Sequence, residues 1–117
     1  MKQVLQDLNR HQGIRGSALV TQDGMMVAGA LPADVKEDVV SALVSFLVST
    51  THRALAEGEY TQFTNMTLTA THGRVLLIGM GSMYLVVVTD QFADLPLVQA
   101  EAHAAAQRIH RATQMNV

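Results

Sequence analysis

The residues with the most obvious chemical potential are the glycines of RVLLIGMGSMYLVVVTD, residues 74–90. Gly79-Met80-Gly81 follows a strand-like apolar run, where a dinucleotide-binding loop would begin. Such a loop needs a third glycine three residues on, then a helix whose amino end faces the pyrophosphate. Position 84 is tyrosine instead, and Leu85-Val86-Val87-Val88 reads as more strand. A two-residue type II′ turn at Gly81-Ser82 explains more. It pairs Met80 with Met83, and Gly79 with Tyr84, whose ring can cover the gap a strand glycine leaves. These glycines are expected to turn the chain, and no cofactor is expected.

The other reactive side chains also lack a spacing that does chemistry. His103 and His110 are seven residues apart, ~10 Å along a helix, too far to share one metal ion. With His11, His52 and His72 they read as solvated surface histidines. Ser17, Ser41, Ser45, Ser49 and Ser82 include no nucleophile elbow, because Gly-Met-Gly-Ser is not Gly-x-Ser-x-Gly. Asp23 and Asp94 have turn or capping roles, and Glu37 and Asp38 suit a helix start. The absence of cysteine excludes disulfides, thiol catalysis and thiolate metal sites. Arg10, Arg15, Arg53, Arg74, Arg108 and Arg111 show no spacing that nominates a catalytic finger. No enzyme is expected. Met25, Met26, Met66, Met80 and Met83 fall on expected strands or turns, either as core filler or as an adaptable binding surface.

Composition agrees with an interaction role. At 117 residues the chain fits one domain, and 49% hydrophobic residues supply a sizeable core. With 15% charged residues and a net charge of -2, nothing marks a nucleic-acid footprint or a basic membrane patch. An apolar, weakly charged chain this short is expected to bury surface against another subunit. The amino-terminal residues lack the apolar core of a signal peptide, and the run from Val39 to Thr51 is too short to span ~30 Å of hydrocarbon. A cytoplasmic protein is expected, with no nucleic-acid or membrane partner.

Positioning follows from the periodicities. Residues 1–12 predict a short amphipathic helix, α1, ended by Gly13. Two apolar runs joined by Asp23-Gly24 predict a hairpin with a type I′ turn, β1 at about 15–22 and β2 at about 25–29. Residues 33–57 predict α2, started by Pro32 and Asp34 and stopped at Gly58. Its apolar positions cover more than half the circumference, whereas an ordinary surface helix shows a stripe of roughly 100°. It therefore needs two partners, the sheet and something else. Ser41, Ser45 and Ser49 form a row of small side chains where a neighbour can approach. Residues 64–72 alternate as an edge strand, β3, and His72-Gly73 reads as a tight turn. The opening stretch then supplies β4 and β5, with Met80, Met83, Ile78, Leu85, Leu76 and Val87 on one face and Leu77, Val86, Val75 and Val88 on the other. Residues 95–113 predict α3, with Val98, Ala102, Ala105, Ile109 and Ala112 on its buried face.

In the order α-β-β-α-β-β-β-α, the segment Ile14-Arg15-Gly16-Ser17-Ala18-Leu19-Val20-Thr21-Gln22-Asp23-Gly24-Met25-Met26-Val27-Ala28-Gly29 and the long apolar helix resemble the roadblock/dynein light chain domain. The three-strand meander from Asn65 to Thr89 extends the likeness to nearly the whole chain. It includes the bacterial members that regulate small Ras-like GTPases in gliding motility. The resemblance implies one domain over residues 1–117. Its α+β fold is a profilin-like sandwich, a five-stranded antiparallel sheet in the order 2-1-5-4-3 with helices on both faces. It also implies a homodimer formed through α2 and the β3 edge, here Val40, Ser41, Val44, Ser45, Leu47, Val48, Met66, Thr67 and Thr69. The implied function is a non-enzymatic adaptor that binds a small Ras-like GTPase and modulates its hydrolysis. The alternatives are a scaffold subunit of a motor, signalling or trafficking complex, and a small-ligand sensor. The bacterial gliding regulators tend to carry terminal extensions that this chain lacks.

Overall fold

The computed structural model describes residues 1–58 and 65–115, the last two without their side chains. Residue 64, the expected first residue of β3, lies outside the described residues. The elements are α1 (Lys2–Leu8), β1 (Ile14–Thr21), β2 (Met26–Ala30), α2 (Glu37–Glu57), β3 (Asn65–Ala70), β4 (Gly73–Gly79), β5 (Met83–Asp90) and α3 (Leu95–Met115). The strands form one antiparallel sheet in the order β2-β1-β5-β4-β3, as expected.

The β4–β5 hairpin has the register that its glycines predict. Gly79 pairs with Tyr84, the Met80 N–H donates to the Met83 carbonyl at 2.8 Å, and Gly81 turns at φ 85°. Alternation then sends the central side chains to opposite faces. Leu19, Leu76, Ile78, Leu85 and Val87 meet Val4, Leu5 and Leu8 of α1 and Val98, Ala102, Ala105 and Ile109 of α3. Ala18, Val20, Leu77, Tyr84 and Val86 meet Val40, Val44 and Val48 of α2. The result is three layers with the sheet in the middle. Each fully buried aliphatic side chain contributes roughly 1.5–3 kcal/mol.

Among the described residues two polar side chains are buried, Ser17 and Thr89, and the Thr89 hydroxyl donates to the Asp90 carbonyl at 3.0 Å. Ser17 is fully buried, and its Oγ donates to Asn9 Oδ1 at 2.7 Å; it also lies 3.3 Å from the Leu5 carbonyl oxygen. Asn9 Nδ2 donates in turn to the Ala30 carbonyl at 2.7 Å. The chain of bonds fixes the carboxyl end of α1 to the first hairpin and satisfies the buried hydroxyl.

Four local expectations are corrected. The first hairpin closes with a three-residue loop, not a two-residue type I′ turn: the Thr21 N–H donates to the Met25 carbonyl, and the Gly24 N–H to the Thr21 carbonyl. Gly24 takes φ 94°, and the Thr21 side chain binds Asp23 and the Met25 N–H. The loop's own side-chain bonds favour the longer form. Secondly, α2 starts at Glu37, because residues 32–35 form a separate turn in which the Val35 N–H donates to the Pro32 carbonyl. Arg15 anchors that turn by an ion pair to Asp34 at 2.7 Å. Thirdly, the β3–β4 turn is Thr71-His72, and Gly73 already pairs with Ala70 and Asp90. Fourthly, α2 is 21 residues long, and by length and composition it is apolar enough to cross a membrane. It does not fail that test on length. Its row of buried valines is instead packed on the sheet.

Candidate functional site

Among the described residues, no three His, Asp or Glu side chains are grouped to hold a metal. The histidines are not all simply solvated. His11 Nε2 lies 3.1 Å from Glu101, linking α1's end to α3. His52, half-buried on α2, lies 3.1 Å from Gln22 by its Nδ1 and 3.1 Å from the Tyr84 hydroxyl by its Nε2. The Tyr84 ring thus does more than face Gly79. It reaches across the layer to the end of α2.

Burial raises the Tyr84 phenol above its ordinary 10.0. A phenol that ionises later in the folded chain than in the unfolded one contributes stability that is complete below about pH 10. That contribution is lost as pH climbs through the folded value. In a Tyr60→Phe background, tyrosinate absorbance is expected to rise later than that of free tyrosine. The thermal midpoint is expected to fall above pH 10, and less so in Tyr84→Phe. A free-tyrosine titration would overturn this.

The surface that stands out is on α2. Val39 is 59% exposed and Phe46 67% exposed. They are seven residues apart, two turns along one face, ~10 Å. Ala42 lies between them, also exposed, and this face points away from the sheet that holds Val40, Val44 and Val48. On β3, Leu68 is 44% exposed and is paired with Val75, on the sheet face that carries α2. Large apolar side chains are thus left bare on both α2 and β3.

The nine expected interface residues do not form one patch. Val40, Val44 and Val48 are buried inside the protomer at 6%, 1% and 0% exposure. Ser41 and Ser45 do admit a neighbour, but it is the chain's own Gly24: a Cβ there would lie 3.0 Å from Ser45 Cβ and 3.3 Å from the Ser41 carbonyl. Leu47 and Met66 are half-buried against the same core. Thr67 and Thr69 pair with Leu76 and Arg74, on the sheet face that carries α1 and α3. Val39, Phe46 and Leu68, which the fold leaves exposed, are not among the nine. The signal that could have found Phe46 was the row Val40, Val44, Val48, whose small β-branched side chains suit close contact with a sheet.

Sheet order, layers and helix placement define the class: a three-layer α+β domain with helices on both faces of one antiparallel sheet. The comparisons with known proteins then place it. The Roadblock/LC7 domain profile matches residues 1–89, and the chain belongs to that family. Three uncharacterized proteins of Methanocaldococcus jannaschii are similar, the first 33% identical over 106 residues, 91% of this chain and 93% of that one. Among solved structures, the MglB of Myxococcus xanthus superposes with a TM-score of 0.89 at 17% identity, over 97% of this chain and 94% of the other. A Roadblock/LC7 domain from Streptomyces avermitilis gives 0.87 at 16% identity, over 97% and 98%. The gliding protein MglB of Thermus thermophilus gives 0.82 at 20% identity, over 93% and 84%.

Proposed function

We propose that this chain is a non-enzymatic, cytoplasmic homodimer that regulates or recruits a small Ras-like GTPase. Family membership and the fold shared with MglB support this reading, since the family resemblance implies GTPase regulators of that kind. One solved relative is described as MglB in a tetrameric arrangement, so self-association is at hand in the fold. The observation that carries the dimer is the bare outer face of α2, Val39 and Phe46, together with the exposed Leu68 of the edge strand. An open β3 edge needs cover, and a second copy supplies both strand and helix.

Light scattering is expected to give twice the protomer mass at tens of micromolar. A pull-down from the source cell is expected to recover a small GTPase. With that GTPase in hand, hydrolysis or nucleotide exchange should change several-fold on adding the chain. A stable complex with unchanged rates turns the reading to a scaffold subunit. A strict monomer that recovers no GTPase sinks it.

A further inference from the structure

We propose that the seam between α3 and the β3–β4 side of the sheet is a docking groove for an extended acidic peptide with an apolar side chain. Two hollows adjoin there and share Ile78 and His103. One, about 200 Å³, is lined by Asn65, Thr67 and Gln99; the other, about 680 Å³, continues past Gly81 to Arg111. From Gln99 to Arg111 the helix rises ~18 Å. That length matches an extended peptide of about five or six residues. A compact ligand would leave one hollow unfilled.

The chemistry along the trough is graded. Its floor is apolar, from Ile78, Met80 and Ala106, while Thr67 and Gln99 offer hydrogen bonds at one end. At the other end stand His110 and Arg111. Between Ala102 and Thr113 the helix carries His103, Arg108, His110 and Arg111 and no carboxylate, in a chain of net charge -2. The carboxyl end of a helix favours cations on any side. Here His103, His110 and Arg111 all line the groove, while Arg108 turns aside to Asp7 of α1. Among the described residues, Arg111, His103 and His110 make no hydrogen bond or ion pair. A carboxylate held beside Arg111, with a leucine or phenylalanine on the floor, satisfies both features. The groove is on the sheet face of α1 and α3, opposite α2, and only its Asn65–Thr67 end borders the β3 edge that a second copy would cover.

The probe is a fluorescein-labelled hexapeptide, Asp-Asp-Leu-Phe-Asp-Asp, followed by anisotropy with the full chain at low salt. It is expected to bind at least about tenfold more tightly than its lysine-for-aspartate counterpart and its serine-for-apolar counterpart. Arg111→Glu, an exposed change, is expected to weaken binding about tenfold, and amide shifts should cluster at 78–81 and 103–111. The proposal is overturned if the acidic peptide fails to bind, if the lysine peptide binds equally, or if Arg111→Glu changes nothing. Octanoate competing as tightly as the peptide would mark a small-anion site and overturn the extended occupant.

Discussion

Val44→Asp is expected to unfold the protomer, while Phe46→Asp leaves it folded and monomeric. The two positions differ by two residues and by about 200° around the helix. Val44 is 1% exposed in the cluster with Ala18, Val20, Leu77, Tyr84 and Val86, which holds no cation and whose one donor, the Tyr84 hydroxyl, is engaged with His52. A carboxylate there is desolvated without a partner, at a cost of roughly 4 kcal/mol or more. Small domains have about 5–15 kcal/mol in all, so the loss takes from about a quarter to nearly all of the stability. Phe46 is 67% exposed, and a charge there alters the protomer by about 0.5 kcal/mol or less. In a dimer that covers this face, the same charge is buried against its own copy and the pair dissociates. Circular-dichroism melts and light scattering separate the outcomes. A Val44→Asp chain that melts like the wild type would show that α2 is turned the other way. A Phe46→Asp chain that keeps twice the protomer mass would place the interface elsewhere.

Gly73→Ala should be the most damaging single-methyl change outside the core. Gly73 opens β4 between Ala70 and Asp90, and a Cβ on it would press into the Thr89 carbonyl oxygen. That carbonyl belongs to β5 at the centre of the sheet and cannot retreat without breaking the β1–β5 or β4–β5 ladder. The expected loss is about 3 kcal/mol, the upper part of the range for overpacked sites. Urea denaturation reads it as a lowered midpoint with an unchanged slope. His72→Ala, one residue earlier in the exposed turn, is the control and is expected to cost far less. Equal effects at 72 and 73 would mean that the turn, not the close approach, makes the glycine necessary.

That example shows where sequence reasoning stopped. His72-Gly73 reads as a turn because glycine is the usual punctuation of one, yet the turn is Thr71-His72. The glycine answers a strand that is distant in sequence. Gly24 is similar: its positive φ was foreseeable from Asp-Gly, but its packing under Ser41 and Ser45 was not. The sheet faces from Leu76 to Val88 were legible because the Gly79–Tyr84 register fixes every later residue. Helix α2 was legible in extent at its end, Gly58, and in excess of apolar surface. Its rotation was not, because apolar residues on more than half the circumference leave the phase to tertiary contact. So the surplus could be anticipated while the residues that carry it could not. His52 was misjudged for the same reason, since its partners come from β5 and the first hairpin loop.

The place of β5 in the sheet also bears on how the chain is made. The ladder joins Ile14 to Thr89 and Thr21 to Met83, so the first strand has no inner neighbour until most of the chain exists. On the ribosome, the β1–β2 hairpin emerges early with both faces apolar and nothing beside it. Pairing over so long a loop is slow compared with local turns. The decisive step of folding therefore waits for β5, and a chain ending before residue 83 lacks the strand that joins the sheet's halves. In the cell, such a truncated product is a substrate for chaperones and proteases instead of a smaller working domain.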